Sequence, residues 1–236
     1  MSKNMKRLTA PRSWPIARKT AYWATKPAPG PHPIERSIPV SMVIRDMLHL
    51  CDTANEAKYV VGKKEVLVDG RPPKSSRFPV GLMDVVSIPK LDQHSRMLLD
   101  HRGKFRLVDI GGGQEKWKLC RIESKTTLKG GVTQLNLHDG RNLTTEQDSH
   151  STGDVLKIGV PIQEVMGTFK LTEGNTAMVI SGAHAGEVAV IKEVEITRSH
   201  LQNVVRFQDG TSTVKANVFV IGTKTPEIEL PEASVV

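Results

Sequence analysis

Few residues of this chain have types and spacing that could support catalysis or bind a cofactor. Gly111–Gly113 is followed by Gln-Glu-Lys, which matches neither a dinucleotide fingerprint nor a phosphate loop ending in Gly-Lys-Ser/Thr. We expect a tight hairpin turn there. The eight histidines include no HExxH and no Cys/His cluster at metal-ligand spacing. His138 beside Asp139 could act as a base, but His-Asp-Gly more often forms a hairpin turn. The sequence therefore predicts no catalytic residue, cofactor or metal site.

Basic residues interleaved with aromatic ones suggest a different chemistry. Residues 1–36, here called the basic arm, carry eight Lys or Arg against one acid, Glu35, so they hold seven of the eight net positive charges. Cationic side chains neutralise phosphates and aromatic rings stack on unpaired bases, which suits folded RNA better than a regular duplex. The RNA-binding residues predicted in the arm are Lys3, Lys6, Arg7, Arg12, Trp14, Arg18, Lys19, Lys26 and Arg36. As an alternative, Trp14 and Trp23 anchor the arm to the rest of the protein.

The arm itself has little capacity to fold alone. Prolines at positions 27, 29, 31 and 33 disfavour helix and favour extended backbone. The segment also lacks an apolar period from which a core could form. We therefore expect it to become ordered only against a partner.

A helical period begins after the arm. Apolar residues from Val40 to Cys51 follow the spacing of one helical face, and Thr53 with Glu56 forms a capping box for a second helix that Gly62 ends. Strands are predicted at 65–69 and 84–88, with a turn at Asp69-Gly70. Residues 37–89 are thus predicted to form a small α+β module.

From residue 90 the helical period disappears, and turn residues separate short β-rich runs. We expect two β domains, at 90–172 and 173–236, with cores mostly of Val, Ile and Leu because aromatics are only 4% of the chain. Net charges of +1, +3 and −3 follow for residues 37–89, 90–172 and 173–236. The strongest RNA contacts are accordingly expected toward the N-terminal end.

The composition indicates a soluble, intracellular protein. No stretch approaches the roughly 18 apolar residues of a membrane span, and the N-terminus is polar and proline-rich where a secretory signal needs an apolar run. Cys51 and Cys120 are distant single thiols, so a disulfide framework or zinc site is not expected. We expect both to be buried core residues.

Several motifs resemble known families. IRDML, TANEAKYVVGKK, VLVDGR and MDVVSIP resemble the S4 RNA-binding domain. The stretch from Arg121 through QLNLHDGRN resembles the central domain of the ribosomal protein S4e family of archaea and eukaryotes, and Gly174 to Ile191 resembles a KOW motif. The order of these motifs matches that family along essentially the whole chain.

The resemblance implies an α+β, mostly β protein, with an S4-like module, a central β domain and a Src-homology-like KOW barrel. It implies a cytoplasmic, non-catalytic structural component of the small ribosomal subunit. The implied partners are small-subunit rRNA and neighbouring ribosomal proteins, with no cofactor, membrane or small-molecule substrate. In the module, the resemblance carries RNA contacts onto Lys58, Lys63, Lys64, Arg71 and Lys74. The central segment adds Lys125, Lys129 and Arg141. There Arg121, Lys125 and Lys129 have the same strand parity, so we expect them to project from one basic face of a strand or hairpin, with Lys116 and Lys118 close by.

Two departures from the family pattern affect the expectations. His184 and Glu187 stand in the KOW turn where Asn and Arg are common, so an RNA contact by that turn stays open. The acidic C-terminal end lacks the basic extension of eukaryotic members, which indicates the archaeal type. Two other functions stay open: an RNA-modifying enzyme of the pseudouridine synthase kind, which would need an active-site aspartate such as Asp139, and a transcription factor acting through the KOW barrel.

Overall fold

The structure is a computed structural model that describes residues 3–146 and 148–231. The chain divides into two compact units. The first runs up to Leu98 and adds Lys104–Lys118 and Val160–Ile162; the second takes Leu99–Gly103, Leu119–Gly159 and the chain from Gln163 onward. Strands dominate, with 38% of residues in strands and 14% in helix, which confirms the predicted mostly β fold class. No helix within the described ranges has the length and apolarity to cross a membrane.

The first unit contains the basic arm and the α+β module. Its strands are β1 (Asn4–Lys6), β2 (Trp23–Thr25), β3 (Ser37–Pro39), β4 (Leu67–Val68), β5 (Pro79–Gly81), β6 (Val85–Ile88), β7 (Gln93–Leu99), whose last residue belongs to the second unit, and β8 (Phe105–Asp109). β1 pairs with β2 and β3 with β5, both antiparallel, and the remaining four form a sheet in the order β4-β6-β7-β8. Short 3₁₀ turns lie at Arg7–Thr9, Ile34–Arg36, Pro89–Leu91 and Gln114–Lys116.

Two helical segments follow the arm. α1 (Val40–Met42) continues directly into a π-helical turn, Val43–Met47, so the helix expected over Val40 to Cys51 is shorter and only partly α-helical. α2 (Ala54–Gly62) begins at the predicted capping box and ends at Gly62 as expected. Val40–Ile44 are buried, which explains the apolar period even though the geometry changes from α to π.

The predicted turn at Asp69-Gly70 is confirmed. Both residues have positive φ, 51° and 72°, and the backbones of Val68 and Arg71 exchange two hydrogen bonds across them. This is the geometry of a two-residue type I′ hairpin, which favours Asp-Gly because both positions need left-handed backbone. The hairpin presents Arg71 at its end.

The second unit contains two five-stranded sheets. The first has strands β9 (Trp117–Thr127), whose first two residues belong to the first unit, β10 (Thr133–Leu137), β11 (Asn142–Thr145), β12 (Val155–Gly159) and β13 (Val165–Phe169), in the order β11-β10-β9-β12-β13. The second has β14 (Thr176–Val179), β15 (Val188–Glu195), β16 (Val204–Phe207), β17 (Ser212–Val214) and β18 (Val218–Gly222), in the order β17-β16-β15-β14-β18, with a 3₁₀ turn at Lys215–Asn217.

The core of the first of these sheets is aliphatic, as the low aromatic content predicts. Its buried cluster consists of Cys120, Ile122, Leu135, Leu137, Leu156 and Ile158. Cys120 is therefore the core thiol that was expected, whereas Cys51 is only half-buried. The Gly111–Gly113 segment makes turns, but it joins β8 to β9, which lie in different sheets, so the expected hairpin is wrong.

Candidate nucleic-acid interface

The clearest cationic feature of the first unit is a groove, here called the lysine groove, of about 510 Å³. Three lysines, Lys58, Lys64 and Lys74, line it. The remaining described lining residues are Val61, Gly62, Pro72, Pro73, Ser75 and Ser76, and none of these carries a carboxylate. Three exposed lysines around a concave surface whose described lining is free of acidic side chains favour an anion such as phosphate.

The lysine groove follows from the amphipathic pattern of α2. Ala57 and Val61, four residues apart, are buried, which leaves Lys58 and Lys63 exposed. Lys64 has φ +58°, a left-handed conformation that turns the chain away from the helix toward β4. Lys58 on the exposed face of α2 and Lys64 in the turn after it therefore lie at the same groove. The Pro-rich loop that carries Lys74 forms the rest of its lining.

The other two predicted residues of the module lie near this segment of chain and are exposed. The Lys63 ammonium lies 5.3 Å from the centre of the Tyr59 ring. The guanidinium of Arg71 donates a 2.8 Å hydrogen bond to the Pro161 carbonyl. Arg71 therefore has one N–H donor engaged, with the rest of its fork exposed.

In the basic arm, the structure separates exposed cations from structural ones. Lys3, Lys6, Arg12, Lys19 and Arg36 are exposed, while Arg7, Arg18 and Lys26 are half-buried. The Arg18 guanidinium donates 2.8 Å hydrogen bonds to the Ala10 and Pro11 carbonyls, and Arg7 donates to the Ala17 carbonyl. These two arginines therefore hold the loop between β1 and β2.

Trp14 lies in the core of the first unit, in agreement with the alternative in which this residue anchors the arm to the rest of the protein. Its side chain is 1% exposed, and the indole N–H donates a 2.7 Å hydrogen bond to the Ser37 carbonyl. Ala10 and Ala24 are buried as well. The arm thus packs against the module of its own chain, and the Trp14 ring is not accessible for stacking on a base; Trp23, by contrast, is 54% exposed.

A buried charge network fixes the far end of the arm. His32, 6% exposed, contacts Asp84 at 3.0 Å, and the Lys118 ammonium lies 2.7 Å from Asp69 and 2.8 Å from Asp84. Burial raises the pKa of Asp84, but the charges of His32 and Lys118, with hydrogen bonds from His32 and the Gly81 N–H, outweigh it and hold the pKa well below the usual carboxyl range. The network ties the arm, the module and the start of β9 together.

Sequence reasoning missed this network, although two signals were available. Lys118 is a lone charge inside the apolar run WKLC, and Asp84 immediately precedes the buried strand β6. A single charge at the edge of a buried strand has to find a partner, because an unpaired buried charge is very costly. The expectation that Lys118 contributes to an exposed basic face is wrong.

The central sheet pairs most of its predicted cations. Arg121 is buried and donates to the Ala216 and Val218 carbonyls at 2.8 Å, so it does not share an exposed face with Lys125 and Lys129. The three residues of this sheet that were predicted to bind RNA differ in their surroundings. Lys125 is paired with Asp148 at 2.6 Å, Arg141 with Asp139 at 3.1 Å, and Lys129 is exposed in the turn between β9 and β10.

His138 and Asp139 lie in the expected hairpin turn, between β10 and β11. Ligand atoms of Cys120, His138 and Asp139 lie within 4.8 Å of one another. However, His138 Nδ1 accepts the Arg121 backbone N–H at 3.2 Å, and Asp139 accepts from the side chain and the backbone N–H of Arg141. These hydrogen bonds use the lone pairs that a metal would need, so the group does not fit a metal site.

In the turn between β14 and β15, His184 Nδ1 lies 3.1 Å from one carboxylate oxygen of Glu187 and 3.0 Å from the other. Both side chains are about 40% exposed. His184 and Glu187, the residues of this turn that differ from the family pattern, thus contact each other.

Comparison with known proteins finds three family models along the chain. The RS4NT domain matches residues 1–35, the model described as Ribosomal family S4e matches residues 91–165, and the KOW motif matches residues 173–207.

Named relatives match over nearly the full chain. The small ribosomal subunit protein eS4 of Methanothermobacter thermautotrophicus is 45% identical over 97% of this chain and 96% of its own length. The protein of the same name from Methanocaldococcus jannaschii is 40% identical over 97% of both chains. The crystal structure of the 30S ribosomal protein S4e from Thermoplasma acidophilum matches with a TM-score of 0.72 and 32% identity, covering 80% of this chain and 96% of that one.

Proposed function

This chain belongs to the ribosomal protein S4e family, and on that basis we propose that it is a structural component of the small ribosomal subunit. It is part of the cytoplasmic ribosome, where it binds and stabilises folded rRNA. Its partners are small-subunit rRNA and neighbouring ribosomal proteins. The domain division at residues 36, 89 and 172 is part of the same proposal.

The observation that carries RNA binding is the lysine groove. Lys58, Lys64 and Lys74 come from a helix, its end and a separate loop, yet they line one concavity, and none of its described lining residues is acidic. In the second unit, by contrast, cations such as Lys125 and Arg141 are paired with carboxylates. Unpaired cations around a groove attract the phosphate backbone, because neutralising phosphates releases condensed counterions.

Binding of this kind positions the protein and stabilises the RNA fold. Phosphate contacts neutralise charges that would otherwise repel each other where RNA segments come close together. Shape and unpaired loops, more than base edges in a duplex, supply the specificity. The exposed arm residues Lys3, Lys6, Arg12, Lys19 and Arg36 extend the cationic surface beyond the lysine groove.

We propose no catalytic role for the chain. The aspartate that an RNA-modifying enzyme would need, Asp139, is 2% exposed and ion-paired with Arg141 inside a hairpin turn. A carboxylate so placed does not reach a base. A transcription role through the KOW segment has no observation that favours it over the ribosome.

The test replaces all three groove lysines by glutamine, K58Q/K64Q/K74Q, in the full chain. Binding to small-subunit rRNA is measured as a function of salt concentration. If each lysine neutralises one phosphate, the slope of log affinity against log salt falls by about 2 to 3, since one contact contributes roughly 0.7 to 0.9.

A matched control removes the same charge elsewhere. The residues Lys192, Arg198 and Lys224 are exposed and lie in the net acidic C-terminal region, so K192Q/R198Q/K224Q loses three positive charges without touching the lysine groove. We expect a much smaller change in slope. Equal slopes for the two triple variants would contradict the lysine groove as the RNA contact, and absence of the wild-type protein from the small-subunit peak of a sucrose gradient would contradict the proposed function itself.

A further inference from the structure

The ribbon formed by β1 and β2 carries an exposed aromatic pair. Tyr22 and Trp23 are 64% and 54% exposed, and their rings meet edge to face with centroids 4.8 Å apart. Large aromatic side chains are normally buried or bound to a partner, and two adjacent exposed ones form an apolar patch that a partner can cover. The described part of the chain therefore leaves more than half of each of these two side chains uncovered.

The ribbon register places a cation in the same patch. Lys6 is directly opposite Trp23 in the antiparallel pairing, so both side chains leave the same face of the ribbon. The Lys6 ammonium lies 5.8 Å from the centre of the Tyr22 ring. The opposite face, formed by Met5 and Ala24, is half-buried and buried and packs inward. Tyr22, Trp23 and Lys6, here called the aromatic patch, therefore face outward as a unit.

We propose that the aromatic patch is a stacking site for an unpaired RNA base, with Lys6 neutralising the adjoining phosphate. This inference rests on the proposed function and names the chemical group that this part of the arm binds. It moves stacking from Trp14, which is buried, to the two aromatic residues that are accessible. Stacking is sequence-tolerant because every base has a π-face.

Charge distinguishes RNA from a protein partner as the occupant. The first 34 residues contain no acidic side chain, and Lys3 lies at the other end of the same ribbon. An apolar protein surface would gain nothing from this concentration of positive charge, whereas a nucleotide presents a ring for the aromatic residues and a phosphate for the lysine. A neighbouring protein is the competing occupant and is tested below.

Tryptophan fluorescence provides a direct measurement. Trp14 and Trp117 are 1% and 9% exposed, so Trp23 is the tryptophan accessible to a ligand. The probe is a single-stranded oligouridylate of about ten nucleotides, within the range of site sizes for such strands. We expect it to quench Trp23 emission, and a blunt RNA duplex with the same number of phosphates to quench it much less. The W23F variant, which retains a ring for stacking, should lose the quenching and keep the affinity.

The W23A variant should bind the single strand about tenfold more weakly, in line with base–aromatic stacking energies. L8A is the matched control, because Leu8 is 70% exposed on the same arm and is not aromatic; its affinity should equal that of the wild type. Since both positions are exposed, thermal unfolding should be unchanged in either variant.

Two results would overturn the stacking site. Equal quenching by duplex and single strand, with unchanged affinity of W23A, would mean that the arm contacts RNA through charge alone. Protection of Trp23 from acrylamide only in assembled subunits, and not with rRNA alone, would assign the aromatic patch to a protein neighbour. In both cases the salt dependence of the lysine groove variants would be unaffected, so failure of this inference is distinguishable from failure of the proposed function.

Discussion

Replacing Lys118 by methionine tests the buried charge network most directly. The variant keeps a chain of similar length in the same space and removes the ammonium that contacts Asp69 at 2.7 Å and Asp84 at 2.8 Å. Two carboxylates whose side chains are at most 9% exposed then lose this cation, and Asp84 keeps its 3.0 Å contact with His32. Breaking a buried ion pair from one side leaves an uncompensated charge and costs about 3 to 5 kcal/mol of unfolding free energy.

The loss should be seen in the first unit. Trp14, Trp23 and Trp117 all lie in that unit, so intrinsic fluorescence follows its unfolding by urea. With a urea slope of about 2 kcal/mol per molar, the midpoint should fall by roughly 2 M. K116M is the matched control, because Lys116 lies two residues earlier in the chain and is exposed. The unfolding free energy of K116M should stay within about 0.5 kcal/mol of the wild-type value.

The effect of the substitution should also depend on pH. In the wild type, Asp84 has a lowered pKa, so its ionisation contributes stability that is complete above the ordinary carboxyl pKa and decreases as the pH falls below it. Without Lys118, Asp84 loses one of the two neighbouring charges that lower its pKa, so this carboxyl takes up a proton at higher pH in the variant than in the wild type. The difference between K118M and wild type should therefore shrink from pH 7 toward about pH 4.

Either of two outcomes would refute the reasoning. A midpoint for K118M equal to that of K116M would mean that the network contributes no net stability. A loss that is the same at pH 7 and at pH 4 would mean that methionine disturbs packing and that charge is not the cause.

Two further substitutions test the anchoring of the arm and the KOW turn. W14F should destabilise the first unit by about 1 to 3 kcal/mol, measured by urea unfolding followed by far-UV circular dichroism, because it leaves the Ser37 carbonyl without its donor; an unchanged midpoint would contradict the anchoring role of Trp14. G186A should destabilise the second unit far more than G174A in thermal unfolding. Both glycines have positive φ, but an added Cβ at Gly186 would overlap the Asp100 carbonyl oxygen, whereas none of the described atoms lies within 4 Å of an added Cβ at Gly174. Similar losses for the two variants would refute the close approach at Gly186.

Local features of the fold were predictable because short-range interactions determine them. The capping box at Thr53 and Glu56 involves residues three positions apart, and the Asp69-Gly70 turn needs only two left-handed residues. The segment after Pro39 was predicted less well. Its apolar period correctly identified Val40, Val43 and Ile44 as buried, whereas the later members of the period are only half-buried. The change from α to π geometry depends on packing within the first unit.

The candidate site shows the same division. The family resemblance predicted RNA contacts at Lys58 and Lys63, and both are exposed because Ala57 and Val61 form the buried face of α2. That Lys64 and Lys74 join Lys58 at one groove required the loop geometry of the folded unit. Trp14 could not be assigned from the sequence, since its partner Ser37 lies 23 residues away.

The sequence by itself determined the mostly β fold class, the concentration of positive charge in the first 36 residues and the family motifs, because composition and local spacing are properties of the chain alone. Only the tertiary structure decided which cations face solvent and which are paired. Lys118 meets its two aspartates across 49 and 34 residues, and Arg121 meets its carbonyl partners across 95 and 97. Burial makes such pairing obligatory, and only the packing of distant segments determines which partner each charge receives.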